Sequence, residues 1–342
     1  MNSARMTLNA VYDSFRAAAH VAPIACFAAF TSACSGPSLA TASSEPHCPQ
    51  CSVIAESDSQ LLELHSHDDA LFALDARGAI STLPKTGGEL SGLVAANSGA
   101  AHFGVTATAL AWVGLDDPSD TTTSRVHALA RDGSDGPPVP AFQGAPELAV
   151  GLGDAFVSVF SGDATRSQVV RDSLSSGAVT SPAETLSDEE QTELPIVAGG
   201  DAEVVWCRTH ADQSSSLWRL GASGDPTKTD YPFSCVGLWT IGDGQVFVLD
   251  RASGMNCYYR IDATDISQVL TCTSGEYDHF VPLADGSIAF IDGSVAVRRV
   301  TVDGLVSTLF SAENLVGIQS DGDQFYYATS VHIGSVDWRA LP

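Results

Sequence analysis

Short apolar runs, each preceded by a turn rich in glycine and aspartate, recur along the chain from residue 65 to its end. Gly and Asp are residues that accept the backbone conformations of tight turns. The second residue of each run serves as an anchor, and the anchors are Leu71, Leu110, Phe156, Val204, Val246, Ile288 and Phe325. Successive anchors are 37 to 48 residues apart. A period in this range indicates a repeat built from one supersecondary unit.

Within each unit, runs of four to six residues rich in Val, Phe, Tyr and Ile alternate with turns, and no helical period is present. Such runs predict short antiparallel strands joined by hairpins. A two-sheet sandwich is the alternative, but its turn spacing would not produce seven matching hairpins. The sequence therefore predicts an all-β fold, a seven-bladed β-propeller with four-stranded antiparallel blades.

The last unit is one strand short of a complete blade. Its sequence predicts strands over 315–319, 324–329 and 331–337, and the chain ends at Pro342. The apolar stretch Ser52–Glu56 precedes the first unit and has no other assignment. We expect this stretch to supply the missing outer strand, which would close the ring and remove two open sheet edges.

The beginning of the chain has the pattern of an export signal. Arg5 and Arg16 are followed by an apolar stretch over Ala17–Phe30 and then by small residues up to Cys34. A basic start, a short apolar run and small residues before a cleavage point are typical of a secretory signal. The sequence therefore predicts a signal peptide over residues 1–33, and a disordered N-terminus is the alternative without export.

The string from Thr31 to Cys34 resembles the lipoprotein box of exported bacterial proteins, although Thr31 stands where that family usually has an aliphatic residue. The resemblance implies that Cys34 carries a lipid, whereas simple cleavage and secretion remain the alternative. Residues 34–51 would then form a Ser/Ala/Pro-rich tether that contains a CxxC motif, followed by one propeller domain over 52–342. By analogy, Ser35 after the modified cysteine favours the outer membrane as the location.

The repeats over residues 52–342 resemble those of exported bacterial propeller lipoproteins, and more loosely those of TolB-like and NHL-type propellers. The resemblance is one of pattern, since the chain has no recurrent Trp-Asp at blade ends and no Asn-His-Leu signature. Such families include scaffolds, ligand binders and a few enzymes, so the fold alone does not define an activity.

Charge narrows the range of partners. The chain has 41 acidic and 16 basic residues among 342, for a formal net charge of −25. Nucleic acids and anionic lipid surfaces are bound by clusters of Lys and Arg, so this balance argues against a nucleic-acid role.

A hydrophobic share of 44% is typical of a globular protein with a substantial core. No segment after the signal is apolar enough to span a membrane, so contact with the membrane would come through the lipid alone.

Six cysteines remain after the signal and the lipidation position. Cys257 and Cys272 are symmetric about a predicted hairpin turn, so we expect them to face each other across the third and fourth strands of blade five. Elimination then pairs Cys207 with Cys235. Cys48 and Cys51 form the CxxC motif, for which a structural disulfide is the main prediction and redox or metal chemistry the alternative.

Candidate chemistry is sparse. Propeller ligands usually bind over the central channel, at the loops that lead into the first strand of each blade. The polar residues of these loops are Asn97, His102, Glu147, Glu193, Asp278, His279 and Asn314. Oxygen ligands from several blades could hold Ca²⁺, for which the candidates are Glu147, Glu193, Asp278 and Asn314. The chain contains no GxSxG, Walker A or HExxH motif.

Two other features, a cluster of histidines and aspartates and the five tryptophans, are interpreted as structural. The cluster from His65 to Asp69 is placed in the turn between the first two strands of blade one, although His65 and His67 could share a face and bind a transition metal. The five tryptophans are assigned to packing, with Trp338 the best candidate for an exposed one.

The sequence thus predicts a lipid-anchored, non-enzymatic propeller that binds an envelope protein, peptide or glycan, with no certain cofactor. The alternative is a calcium-dependent hydrolase or lyase whose site lies at the mouth of the central channel.

Overall fold

Short runs of β-branched and aromatic residues, whose side chains alternate between the two faces of a sheet, form strands throughout the described residues. In a computed structural model, the described residues lie between 48 and 341. The gaps are 97, 101, 107–108, 118–119, 131–140, 144–146, 152–154, 164–165, 174–183, 191–195, 200–202, 222–224, 242–243, 252–253, 276 and 302. Only the backbone is described for 115–117, 120–125, 130, 141–143, 147–151, 155–163, 166–173, 184–190 and 241.

Six blades are each built from four consecutive antiparallel strands within the described residues. Blade 1 contains β2 (Leu61–His67), β3 (Ala70–Asp75), β4 (Ile80–Pro84) and β5 (Ser91–Val94). Blade 2 contains β6 (His102–Val105), β7 (Ala109–Asp117), β8 (Asp120–Ala130) and β9 (Ala141–Gln143). Blade 3 contains β10 (Glu147–Gly151), β11 (Ala155–Asp163), β12 (Arg166–Ser173) and β13 (Glu184–Glu190).

The other three blades repeat this order. Blade 4 contains β14 (Ile196–Gly199), β15 (Glu203–Thr209), β16 (Ser215–Gly221) and β17 (Thr227–Tyr231). Blade 5 contains β18 (Gly237–Ile241), β19 (Gln245–Asp250), β20 (Asn256–Ile261) and β21 (Ser267–Thr273). Blade 6 contains β22 (Tyr277–Pro282), β23 (Ile288–Asp292), β24 (Ala296–Val300) and β25 (Val306–Ser311).

A composite sheet joins the two ends of the described chain, and we call it the closing sheet. It contains β26 (Leu315–Asp321), β27 (Gln324–Thr329), β28 (His332–Asp337) and, paired antiparallel with β28, β1 (Ser52–Glu56). A short 3₁₀ turn over Trp338–Ala340 follows β28. First strands of neighbouring sheets contact one another in a closed cycle, in which β26 of the closing sheet lies between β22 and β2.

The predicted count of seven blades is corrected by this topology. Six blades are continuous in the chain, and the unit around the seventh anchor, Phe325, is not a complete blade, because only three strands follow blade 6. The closing sheet takes its fourth strand from Ser52–Glu56, the stretch to which the sequence assigned that role.

The core lies between adjacent sheets, and the second strands of several blades are buried over most of their length. In β3, β19 and β27, five consecutive residues are buried after the first. One cluster joins Leu61 and Leu64 of blade 1 to Ala328 and Ile333 of the closing sheet and to Ala55 of β1. Ring closure therefore buries apolar surface contributed by both ends of the described chain.

Three disulfides join the described cysteines in the pairing that the sequence predicted. Cys257 and Cys272 are directly opposite in register across β20 and β21 of blade 5. Cys207 of β15 is bonded to Cys235, which precedes β18. The third disulfide closes the CxxC motif between Cys48 and Cys51, and Cys48 packs into the core of blade 6 and the closing sheet.

Among the described residues, no helix is long and apolar enough to cross a membrane. The signal peptide over 1–33, the lipidation of Cys34 and most of the tether over 34–51 are predictions for residues outside the described ones.

Candidate functional site

Strand pairing places ionisable residues at one level of the ring. To define this level, we take the residue three positions after the anchor in the second strand of each sheet. Its pairing partner on the first strand marks the level. It is occupied by Glu63, His102, Glu147 and Asp278 in blades 1, 2, 3 and 6. The corresponding residues of blades 4 and 5 and the closing sheet are Ile196, Gly237 and Gly317. Because the first strands form the closed cycle, this level is a band through the ring, and ionisable residues occupy it in four of the seven described sheets.

The best-defined part of this band is a carboxylate between two imidazoles. Glu63 and His65 are two residues apart on β2, so they share a face of the strand. Glu63 Oε1 lies 2.8 Å from His65 Nε2, a hydrogen-bond distance. Glu63 Oε2 lies 3.8 Å from Nδ1 of His102, at the start of β6 in the next blade. We call these three residues the blade 1–2 cluster.

The electrostatics of the cluster favour an ionised carboxylate. Burial by itself would raise the pKa of the Glu63 carboxyl, but the neighbouring imidazoles of His65 and His102 lower this pKa to about 2. Within the described residues, Glu63 Oε2 is buried and accepts no hydrogen bond. A buried carboxylate oxygen without a donor is unusual in native proteins and calls for a specific role.

The two imidazoles differ in their access to solvent. The His65 ring is packed edge-on against Phe103, with ring centroids 4.6 Å apart, and its side chain is 33% exposed. The His102 side chain is 52% exposed, whereas that of Glu63 is 20% exposed. The cluster therefore has a fixed, mostly buried carboxylate and an imidazole that a ligand can reach.

A second cluster lies at the same level between blades 5 and 6. Trp239 of β18 donates a hydrogen bond from Nε1 to Asp278 Oδ1 of β22, with a distance of 3.0 Å. The backbone N–H of His279 donates to the same oxygen at 2.8 Å, and His279 Nε2 lies 3.8 Å from Asp278 Oδ2. We call Trp239, Asp278 and His279 the blade 5–6 cluster.

The structure places the predicted site residues unequally. His102, Asp278 and His279 belong to the two clusters, and Asn314 precedes β26 in a left-handed conformation with φ of 56°. Glu147 begins β10, where only the backbone is described, and Asn97 and Glu193 lie outside the described residues. Among the described side chains, no group of three or more potential metal ligands is close enough to hold an ion.

Sequence reasoning missed Glu63 and misplaced His65. Both residues are inside β2, and only Asp68 and Asp69 form the turn that was expected to contain the histidines. His67 pairs with Asp68 instead, with 3.0 Å between Nδ1 and Oδ2. The sequence feature that could have identified this site is the pair Glu63 and His65, two ionisable residues at i and i+2 in a first strand. The leucines around Glu63 instead indicate core packing.

Trp338 was also assigned wrongly as an exposed tryptophan. Its side chain is buried, and its Nε1 donates to the Gly322 carbonyl at 3.1 Å. Trp112, Trp206 and Trp218 are buried too, which leaves Trp239 as the partly exposed tryptophan.

No family model and no curated protein matches the sequence. Solved structures match at low identity. A streptogramin B lyase is 14% identical, with a TM-score of 0.58, over 85% of this chain and 97% of the lyase. A catalytically inactive histidine-to-alanine variant of virginiamycin B lyase from Staphylococcus aureus, with quinupristin, is 13% identical, with a TM-score of 0.56, over 84% of this chain and 98% of the other.

A third similar structure is the β-propeller domain of the Trilobed protease from Pyrococcus furiosus, which has an open velcro topology. It is 12% identical, with a TM-score of 0.58, over 82% of this chain and 95% of the other. The fold is that of a β-propeller. Its neighbours among solved structures include lyases and a protease domain, and identities this low establish the fold alone.

Proposed function

We propose that this protein is an acid–base enzyme of the lyase or hydrolase class, with its site at Glu63, His65 and His102. One observation carries the proposal: a mostly buried carboxylate lies between two imidazoles, one of which is half exposed, at the polar level of the ring. Carboxylate–imidazole pairs orient the imidazole for proton transfer.

The geometry assigns a role to each residue. The His102 ring turns Nδ1 toward Glu63, and its half-exposed side chain makes His102 the residue that would take a proton from a ligand. The imidazolium formed in this step would be balanced by Glu63, which stays ionised because of its low pKa. His65, held by Glu63 and Phe103, would position the carboxylate.

The structural neighbours support a lyase as the first class to test. Two of them are streptogramin B-type lyases, and one of these loses its activity when a histidine is replaced. In an elimination, His102 would remove a proton from the substrate, and the electron pair of the broken C–H bond would form the new double bond as the bond to the leaving group breaks. The imidazolium formed at His102 would then return the proton to the leaving group, and an imidazole serves both purposes near neutral pH.

The test is turnover by the purified chain on a panel of cyclic peptides and esters that includes quinupristin, followed by mass spectrometry. Elimination opens a ring without a change of mass, whereas hydrolysis adds one water. We expect Glu63→Gln and His102→Gln each to slow turnover by about 100-fold or more. His67→Gln on the same strand is the matched control and should leave the rate unchanged. Equal rates in all variants would exclude this site.

Calcium dependence remains part of the proposal. The same assay with added Ca²⁺ or a chelator tests the ligand set of Glu147, Glu193, Asp278 and Asn314. Loss of turnover on chelation, restored by Ca²⁺, would support the metal-dependent form.

A non-enzymatic scaffold is the second candidate, and the net charge of −25 is the observation that favours it. Such a surface attracts basic partners through its field. We propose the cell envelope as the location and Cys34 as the anchor. Mass spectrometry of the mature N-terminus in wild type and Cys34→Ala would test both.

A further inference from the structure

We infer that the blade 5–6 cluster of Trp239, Asp278 and His279 is a binding subsite for a cationic group, such as a quaternary or primary ammonium. This inference rests on the proposed function, because it names the chemical class of ligand that the ring would take. It is carried by the geometry of an indole, a carboxylate and an imidazole, none of which takes part in the proton transfer proposed for His102.

The indole of Trp239 is held in one orientation by its surroundings. Gly237, two residues earlier on β18, leaves room for the ring, since a Cβ there would lie 2.7 Å from Trp239 Cη2. The ring packs against Phe280 at a centroid distance of 5.0 Å and reaches Asp278 through Nε1. Trp239 as a whole is partly exposed. A fixed, partly exposed indole is the aromatic surface to which cations bind best.

The carboxylate of Asp278 is arranged so that one oxygen is held and the other remains accessible. Oδ1 accepts the hydrogen bonds from Trp239 Nε1 and from the backbone N–H of His279. Oδ2 faces His279 at 3.8 Å, and the Asp278 side chain is 59% exposed. A negative charge beside an indole is the combination that recognises an ammonium group.

The backbone at this position is strained. His279 has φ of 52°, in the left-handed region that non-glycine residues rarely occupy, and the pairing of β22 with β23 is irregular between Asp278 and Val281. Bulges of this kind re-aim side chains and are common beside binding sites. Here the bulge brings the backbone N–H of His279 onto Asp278 while Phe280 packs into the core.

The two clusters are placed to contact one ligand. Asp278 occupies the same level as Glu63 and His102, and in the cycle of first strands only β26 lies between β22 and β2. A ligand that enters the ring could therefore place a cationic group at Asp278 and its reacting atoms at His102. The net charge of −25 would attract such a ligand.

The test is choline binding, compared with its uncharged isostere 3,3-dimethylbutan-1-ol and followed through the indole N–H signal of Trp239 in NMR spectra. Trp239→Phe identifies that signal by its absence. We expect choline to shift it saturably and the isostere to bind at least about tenfold more weakly. Asp278→Asn keeps the acceptor for Trp239 and should weaken choline binding about fivefold or more.

Controls separate the subsite from general attraction to an acidic protein. Asp225→Asn removes an exposed carboxylate away from the cluster and should bind choline as the wild type does. Equal binding of choline and its isostere, or unchanged choline binding in a folded Asp278→Asn variant, would overturn the inference. Glu63→Gln should lose turnover and still bind choline. Unchanged turnover in this variant would overturn the proposed function alone, whereas unchanged choline binding in Asp278→Asn would overturn this inference alone.

Discussion

Arg219 of blade 4 donates a hydrogen bond to Asp265 in the β20–β21 turn of blade 5, with Nε 2.8 Å from Oδ1. The same guanidinium donates to Glu203 Oε1 at 2.6 Å and to the carbonyls of Gly244 and Asp262. Arg219 is buried, and its planar donors connect one strand to two turns of the next blade. This contact fixes blade 4 against blade 5 near the first strand that carries Trp239.

Replacement of Arg219 should destabilise the protein strongly. Arg219→Met would leave Glu203 and Asp265 as two mostly buried carboxylates without a cation, at a cost of about 3–5 kcal/mol. Urea unfolding measures this change. Arg339→Met is the matched control, because Arg339 pairs with Asp323 at the surface, where an ion pair contributes about 0–1 kcal/mol. Equal losses in the two variants would contradict the structural role of Arg219.

Removal of β1 should lower the melting temperature. A chain that begins after Glu56 loses the strand that pairs with β28, exposes that edge and uncovers the apolar contacts of Ala55. A chain that begins after Pro46 keeps β1 and is the control. If both chains melt at the same temperature, the closing sheet does not stabilise the ring.

Repetition explains how much of the fold the sequence could predict. Each anchor lies in the second strand of its sheet. Where side chains are described, these strands are buried over most of their length and are therefore apolar. The count of blades was less predictable, since an anchor such as Phe325 marks a hairpin and not a complete four-stranded unit. The pairing of Cys257 with Cys272 followed from register, because residues opposite in a hairpin are close in space, and the pairing of Cys207 with Cys235 followed by elimination.

The candidate site was harder to predict for a physical reason. His102 and Asp278 were found because the sequence around them is typical of a loop before a strand, although the structure places them in the first strands β6 and β22. Glu63 stands between leucines inside a strand, so its neighbours indicate core packing. Its importance depends on His102, a residue 39 positions away that only the closed ring brings near. Sequence periodicity contains no information about such contacts between blades.

Loss of the Cys257–Cys272 disulfide should cost more stability than loss of Cys48–Cys51. The first closes a loop with a sequence separation of 15 and should contribute about 3 kcal/mol through the entropy of the unfolded chain. The second spans a separation of 3, for which the same relation gives only about 1.5 kcal/mol. Urea unfolding of the two double Cys→Ala variants measures the difference, and the reverse order would contradict the prediction.

The low pKa of Glu63 predicts a specific dependence of stability on pH. Because this pKa falls from its ordinary value of 4.5 to about 2 on folding, the ionised carboxylate stabilises the native state above pH 4.5. That contribution should disappear as the pH falls from 4.5 through 2. Glu63→Gln lacks this stabilising contribution at every pH. The difference in unfolding free energy between wild type and variant should therefore shrink by on the order of 3 kcal/mol as the pH falls from 4.5 to 2.

Urea unfolding followed by circular dichroism at intervals between pH 5 and pH 2 measures this difference. Glu313→Gln, which removes an exposed carboxylate beside Asn314, controls for the loss of one negative charge. Parallel stability curves for wild type and Glu63→Gln would mean that His65 and His102 do not stabilise the carboxylate. The blade 1–2 cluster would then lack the fixed charge that balances a protonated His102, and the proposed proton transfer would lose its physical basis.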